Sequence, residues 1–94
     1  MKYLTTWQAF PGATGECIEK FLAGDAKAEP GVIVLGRWHK VDLSGGITIS
    51  ETDSLTAVYA GAVKWADVME ISISPVLEDA EIAPILAAFH KKQS

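Results

Sequence analysis

Two segments of this chain alternate apolar and polar side chains without interruption, in residues 47–51 and 69–74. Successive side chains of a β-strand point to opposite faces, so the alternation predicts two strands that each have one apolar and one polar face. The chain has 94 residues, which is enough for one core and one domain. We therefore expect a single domain, residues 1–94, built around a sheet that is buried on at least one side.

Two further strands are predicted around this pair. Residues 2–9 are rich in β-branched and aromatic side chains, and residues 32–41 begin with an unbroken apolar run. Both compositions are typical of strands. A short loop containing Gly45 and Gly46 separates residues 32–41 from residues 47–51, so these two strands are expected to form an antiparallel hairpin.

Three helices are predicted between and after the strands. Residues 14–26 carry apolar side chains at helical spacing, with Thr14 as the candidate N-cap. A second helical pattern follows Asp53 and Ser54, either of which can cap it. The third helix is expected to begin near Glu81 and to end at the C-terminal lysines, so that charged side chains oppose the helix dipole at both ends.

The order β-α-β-β-α-β with an added C-terminal helix predicts an α+β fold of the ferredoxin-like type, a four-stranded antiparallel sheet with two helices on one face. The side chains assigned to the helix-covered face are Ile47, Ile49, Met69, Ile71 and Ile73. The opposite face then carries Thr48, Ser50, Glu70, Ser72 and Ser74, joined by Ile33, Leu35, Arg37 and His39 if the register of the second strand follows the same pattern. Because a mixed face of this kind suits two sheets that close into a dimeric α/β barrel, we expect a homodimer.

Composition narrows the classes of partner. Lys and Arg number 8 against 12 Asp and Glu, giving a net charge of -4. This charge repels phosphate backbones and anionic lipid headgroups, so neither nucleic acid nor a membrane is an expected partner. Cys17 is the only cysteine, the first residues do not form a signal-peptide pattern, and no apolar stretch is long enough to span a bilayer. A cytoplasmic protein is expected.

Four short segments carry a resemblance to a known family: residues 36–39, 46–51, 65–67 and 74–76. They are similar to a family of uncharacterised small proteins, a domain of unknown function, and the similarity covers nearly the whole chain. The resemblance implies the dimeric α/β barrel and implies no function. Other families with this barrel include cofactor-independent quinone-forming monooxygenases and muconolactone isomerases, and one architecture hosts unrelated chemistries.

Arg37 and His39 are the first candidate site residues. They lie two apart on a strand, so their side chains share a face and together suit an anion or oxyanion, with His39 as a candidate general base. Glu70, assigned to the same face, is the candidate catalytic carboxylate. The alternative is structural: Arg37 pairs with Glu70 or Glu51 and fixes the dimer register, while His39 is a hydrogen-bonded packing residue.

Three tryptophans, Trp7, Trp38 and Trp65, are candidate ligand-binding residues beside Arg37, His39 and Glu70. Flat apolar walls with a few polar groups are typical of small-molecule sites. The alternative for each indole is packing in the core or at a dimer interface. A cavity above roughly 300 Å³ lined by polar groups favours a ligand or substrate, whereas a filled barrel favours a structural or interaction module.

No metal or cofactor is expected. His39, His90 and Cys17 lack the spacing of metal ligands, and no glycine-rich phosphate-binding loop or nucleophile motif occurs. Three hypotheses of function remain open. The chain is a small-molecule binder; a cofactor-independent oxygenase or isomerase acting on a small aromatic or quinone-like substrate; or a structural or interaction module.

Overall fold

The computed structural model describes residues 1–93. Its elements are β1 (Lys2–Ala9), α1 (Thr14–Leu22), β2 (Ile33–His39), β3 (Gly45–Glu51), α2 (Leu55–Val63), β4 (Met69–Val76) and α3 (Asp79–Gln93). The strands form one antiparallel sheet in the order β2-β3-β1-β4. In this order α1 and α2 each join two strands that have a third strand between them, as the split βαβ arrangement requires. The predicted ferredoxin-like α+β fold with an added C-terminal helix is confirmed.

The ends of the helices differ from the prediction for local reasons. α1 has no side-chain cap: its N-cap is Ala13, and Thr14 is already helical. It ends at Leu22 rather than at residue 26, because Gly24 turns the chain with a φ of 89°. α2 is capped as expected, since the Ser54 side chain accepts a hydrogen bond from the backbone N–H of Ala57 at 3.2 Å.

The third helix begins two residues earlier than predicted, at Asp79. The backbone N–H of Glu78 donates to Glu81 Oε1 at 2.9 Å, which satisfies a donor at the start of this helix. Pro84 therefore lies beyond the first turn rather than within it. Among residues 1–93 no helix, α3 included, is long and apolar enough to cross a membrane.

Gly45 and Gly46 begin β3 rather than forming the hairpin loop. The loop is closed instead by Asp42, whose Oδ1 accepts hydrogen bonds from the Ser44 backbone N–H at 3.0 Å and from the Ser44 hydroxyl at 2.6 Å. These bonds hold the pKa of Asp42 below its ordinary value. Leu43, with a φ of 68°, takes the left-handed position. The glycines are required by the close approach of β3 to its neighbours, since a Cβ on Gly45 would overlap the Trp7 carbonyl oxygen.

The assignment of side chains to the two sheet faces was wrong for β3 and for Arg37 and His39 of β2, whereas Ile33 lies on the expected face, because a bulge between Val34 and Gly36 shifts the register of β2. Thr5 lies opposite Thr48 on one side and Ile73 on the other, so all three share a face. The helix-covered face thus carries Thr48 and Ser50 with Met69, Ile71 and Ile73, and it also carries Arg37 and His39. Ile47 and Ile49 lie on the other face with Glu70, Ser72 and Ser74. Alternation fixes which residues of one strand share a face, but the register between strands decides which faces coincide.

The core is small. The buried hydrophobic side chains among the described residues are Tyr3, Val68 and Met69. Much of the space between the sheet and the helices is therefore not filled by side chains. Helix α3 contributes no buried residue, and the molecule is elongated, 53 × 29 × 19 Å.

Candidate ligand-binding cavity

A cavity of about 530 Å³ lies between the sheet and the two helices α1 and α2. The strands contribute residues from the helix-covered face, among them Thr5, Trp7, Thr48 and Ile71. Helix α1 contributes Cys17, Ile18 and Phe21, α2 contributes Ala57, Val58 and Gly61, and Trp65 follows α2. All four strands and both helices therefore form its wall.

Small side chains explain why this space is open. Helix α2 presents Ala57, Gly61 and Ala62 to the cavity, and β3 presents Thr48 and Ser50 from the opposite side. Large aliphatic side chains at such facing positions would interlock and fill the interior to the usual packing density. Here the side chains on the two facing walls are too small to reach one another, so a cavity remains.

Three aromatic rings meet at one end of the cavity. The His39 imidazole lies edge-on to Trp7, with ring centroids 5.7 Å apart at an interplanar angle of 73°. It is also edge-on to Phe21, at 5.4 Å and 80°. Edge-to-face contacts at these separations are favourable and orient each ring against the next. A fourth ring, Trp65, has the Lys20 ammonium 5.6 Å from its centroid.

Arg37 is partly buried beside the cavity. Its Nη2 donates a hydrogen bond to the Ala26 carbonyl oxygen at 2.9 Å, which ties the connection after α1 to β2. The expected carboxylate partner, Glu70 or Glu51, is not there, because both lie on the other face of the sheet. Within the described residues the guanidinium has no acidic partner.

The acids near the cavity have cationic partners of their own. Glu29 is paired with Lys64, which follows α2. Asp25 lies 3.8 Å from the Lys20 ammonium, measured from Oδ2 to Nζ. These pairs join the α1–β2 connection to the neighbouring helices, so they close the side of the cavity that this connection forms. Neither pair neutralises Arg37.

The structure brings four of the predicted site residues together at the cavity: Arg37, His39, Trp7 and Trp65. It does not bring Glu70 or Trp38 there. Glu70 lies opposite Gln8 on the other face of the sheet. Trp38 is on that same face, 57% exposed, with its indole over Gly36. The separation of Glu70 from His39 removes the arrangement in which the two would share proton transfer.

Phe21 lines the cavity, although its sequence pattern did not identify it as a site residue. It belongs to the apolar stripe of α1, and such a stripe more often packs in a core. Only the small side chains of the facing elements indicated that Phe21 has this role, because they leave its ring partly exposed. Over residues 1–93, no three His, Cys, Asp or Glu side chains are grouped to hold a metal ion.

Cys17 lines the cavity as a half-buried free thiol. Its Sγ donates to the Val68 carbonyl oxygen at 3.6 Å. Burial raises the pKa of this thiol above its ordinary value, with the nearby Glu16 carboxylate acting in the same direction. The thiolate is therefore scarcer than for a cysteine in water, and this cysteine does not have the environment of a nucleophile.

We expect Cys17 to react with 5,5′-dithiobis(2-nitrobenzoic acid) at pH 8 several-fold more slowly in the folded protein than in the same protein unfolded by urea. Because the folded pKa is raised, the stability that the thiol contributes is complete below the unfolded pKa. It is lost as the pH rises through the folded pKa. The loss of unfolding free energy from pH 8 to pH 10 should thus be smaller in Cys17→Ser. Equal labelling rates in the folded and unfolded protein would contradict this account.

Comparison with solved structures supports the fold. A Nitrosomonas europaea protein provisionally named an antibiotic biosynthesis monooxygenase has a TM-score of 0.51 at 13% identity, with 83% of this chain and 100% of that chain covered. A Deinococcus radiodurans protein with the same provisional name has a TM-score of 0.48 at 14% identity, covering 83% and 94%. At 13% identity the likeness to the Nitrosomonas europaea protein shows a shared fold.

Comparison with curated proteins finds no match. The family comparison does: the profile described as "Domain of unknown function (DUF3303)" matches residues 1–90. This match covers both helices and all four strands around the cavity, and it confirms the resemblance to a family of uncharacterised small proteins. The chain belongs to the DUF3303 family.

Proposed function

We propose that this protein binds a small, flat, aromatic molecule in the cavity between its sheet and its helices. The observation that carries the proposal is an apolar cavity of about 530 Å³ with aromatic rings at its wall. Pockets for small molecules occupy roughly 300–1,000 Å³ and have mostly apolar walls with a few polar groups. A filled interior would favour the structural hypothesis, whereas the open cavity of this molecule supports a ligand.

The shape of the wall favours a flat ligand. Trp7, Phe21 and His39 hold one another edge-on, so their positions are fixed relative to one another before a ligand arrives. Rings that are ordered in advance cost little entropy when they bind another ring. The threonine and serine hydroxyls of β3 lie on the same sheet wall as Trp7 and His39 and supply weak polar contacts there.

A titration followed by ¹H–¹⁵N NMR tests this proposal. The probes are 2-naphthamide and 2-naphthoate, which share a bicyclic ring and differ in charge. Shifts in response to at least one probe should be concentrated in the amides of Trp7, Thr48, Ile71 and the inner side of α2. Shifts that follow no structural pattern, or no shift at millimolar concentrations of either probe, would overturn it.

A cofactor-independent oxygenase is the second candidate. It is favoured by His39, a base that contacts two aromatic rings at the cavity, and by the provisional name of the Nitrosomonas europaea protein. His39 would accept a proton from a bound phenol or anthrone. Molecular oxygen would then oxidise the resulting anion, as when the CH₂ group of anthrone becomes the carbonyl of anthraquinone and the second oxygen atom leaves as water.

Oxygen uptake with anthrone distinguishes this candidate from binding alone. Under the oxygenase hypothesis the protein accelerates uptake and His39→Ala lowers the rate at least about 100-fold, the usual size of a lost general base. His90→Ala is the matched control, because it is the same substitution at an exposed position of α3 that does not line the cavity. If neither the wild-type protein nor the control variant accelerates oxygen uptake above the uncatalysed rate, the protein binds its ligand without catalysing this reaction.

We also propose that the protein is a homodimer whose sheets face each other. The sheet face opposite the helices exposes apolar side chains, with Ile33 63%, Trp38 57% and Ile47 37% exposed. Exposed apolar side chains that share one sheet face often mark an interface. A second copy is the partner, because one two-fold axis covers the same face of both chains and the family resemblance implies a dimeric barrel. Ile85, Leu86 and Phe89 of α3 are also exposed apolar residues.

We expect a dimer by analytical ultracentrifugation at micromolar concentration. Ile47→Lys should weaken the dimer at least about tenfold, because it places a charge in the apolar centre of the interface. Ala60→Lys, which adds the same charge to an exposed position of α2, should leave the association unchanged. A monomeric wild-type protein would contradict the proposal.

We propose that the protein is cytoplasmic. Its one cysteine is a free thiol, and no disulfide supports its small core. Small proteins of oxidising compartments usually rely on disulfides for stability. Fractionation of cells that express a tagged chain tests this location, and recovery in a secreted fraction would contradict it.

A further inference from the structure

We propose that the ligand of this cavity is an aromatic acid whose anionic group is bound by Arg37. The inference rests on the proposed function and adds the charge of the ligand. Two independent observations support it. The first is the pairing of Arg37, and the second is the distribution of charge over the wall of the cavity.

Arg37 is a fixed cation with an incomplete set of partners. Within residues 1–93 its side chain donates one hydrogen bond, to the Ala26 carbonyl oxygen, a neutral acceptor that holds the side chain in place. A guanidinium has five N–H donors in a planar fork, a geometry that matches a carboxylate. No carboxylate among residues 1–93 forms an ion pair with it. A partly buried guanidinium without an acidic partner is best satisfied by an anion from outside the chain.

The charges of the chain are distributed unevenly. The cavity is lined by four of the eight Lys and Arg residues and by two of the twelve Asp and Glu residues: Lys27, Arg37, Lys40 and Lys64 against Asp25 and Glu29. The wall thus has an excess of positive charge, although the chain as a whole is acidic, with a net charge of -4. An anion is attracted to a cleft with this sign of potential and repelled by the rest of the surface.

The nearby acids do not compete for Arg37. Glu29 is paired with Lys64, and Asp25 lies within 3.8 Å of the Lys20 ammonium. Each acid therefore has a cation of its own. The positive charge that these two pairs leave unneutralised includes that of Arg37. Among the cations at the cavity wall, Arg37 is the one whose side chain is oriented by a hydrogen bond to the backbone.

Spacing along β2 indicates the length of the ligand. Arg37 and His39 are two residues apart on the same face, which corresponds to about 7 Å along a strand. His39 belongs to the aromatic cluster with Trp7 and Phe21. A ligand with one or two fused rings and an attached carboxylate can place its ring at the cluster while the carboxylate reaches Arg37.

The test compares 2-naphthoate with 2-naphthamide by isothermal titration calorimetry at pH 7. The two probes have nearly the same shape, but only the first is an anion. We expect 2-naphthoate to bind the wild-type protein at least about tenfold more tightly, since a hydrogen bond to a charged partner is worth that factor or more. In Arg37→Gln the preference should fall to less than about threefold, and in Arg37→Lys it should be partly retained.

A salt titration of the wild-type protein also tests whether the charge of the ligand contributes to binding, and it needs no substitution. The affinity for 2-naphthoate should fall as the salt concentration rises, while the affinity for 2-naphthamide stays constant. Equal affinities of the two probes for the wild-type protein would overturn the charge assignment and leave the proposed function standing. If neither probe binds, both proposals fail.

Discussion

Replacing Gly45 by alanine should lower the free energy of unfolding by about 3 kcal/mol or more, the upper range for overpacking in a close-packed interior. The new Cβ would overlap the Trp7 carbonyl oxygen and lie 3.1 Å from the Gln8 Cα. Both contacts are with the backbone of β1, so no side-chain rotation relieves them. Gly45 lies opposite Gln8 in the register, and the pairing of β1 with β3 must open to accommodate the methyl group.

Gly61→Ala is the matched control, because it is the same substitution at a position with space. The nearest atom to its added Cβ is Glu29 Cγ at 3.8 Å, an ordinary contact. Gly61 lies within α2, where alanine is favoured over glycine by up to about 1 kcal/mol. Denaturant unfolding should therefore move the two variants in opposite directions. A Gly45→Ala protein as stable as the wild type would show that β3 does not approach β1 as described.

Replacing Ala57 by tryptophan should abolish binding in the cavity. Ala57 lies on the inner side of α2, where its short side chain leaves part of the 530 Å³ open. An indole at this position occupies space that the ligand's ring needs. We expect the affinity for 2-naphthoate to fall at least tenfold, and the melting temperature to stay the same or rise, because the new side chain fills a void.

Ala60→Trp is the control for this variant. It introduces the same side chain into the same helix, but Ala60 is exposed and does not line the cavity. Its affinity for 2-naphthoate should match that of the wild type. Equal loss of binding in both variants would place the ligand elsewhere, and equal retention would show that the cavity is not the binding site.

Much of the fold follows from local patterns. The first strand, residues 2–9, was predicted with its observed ends, because a β-branched and aromatic run is followed directly by Pro11 and Gly12. Ser54 was one of two candidate caps, and it is the one whose side chain accepts the hydrogen bond. The end of a strand and the cap of a helix both depend on residues within about four positions along the chain. A local sequence pattern contains that information.

The sheet faces depend on longer-range information. The alternation in β3 and that in β4 are each correct, yet the two apolar sets lie on opposite faces. A shift of one residue in pairing exchanges the faces, and β1, which separates these strands, carries threonines on both faces and gives no clear signal. In β2 the bulge between Val34 and Gly36 places Arg37 and His39 on the helix side, while Ile33 stays on the face that carries Glu70.

The candidate site was therefore identified in part. The spacing of Arg37 and His39 correctly predicted that they share a face, since that depends on one strand only. Trp7 and Trp65 reach the same cavity because the β1 register and the end of α2 place them there. Trp38, one residue along from Arg37, points to the other face for the same geometric reason. Phe21 could not be told from a core residue without knowing how little of the interior is filled.

The most direct test of the central claim is a crystal structure of the protein grown with 2-naphthoate. Our account predicts the bicyclic ring between the sheet and α1 and α2, beside Trp7, Phe21 and His39, with the carboxylate within hydrogen-bond distance of Arg37. A cavity closed by packed side chains, or the probe bound only on the opposite face of the sheet, would contradict the account.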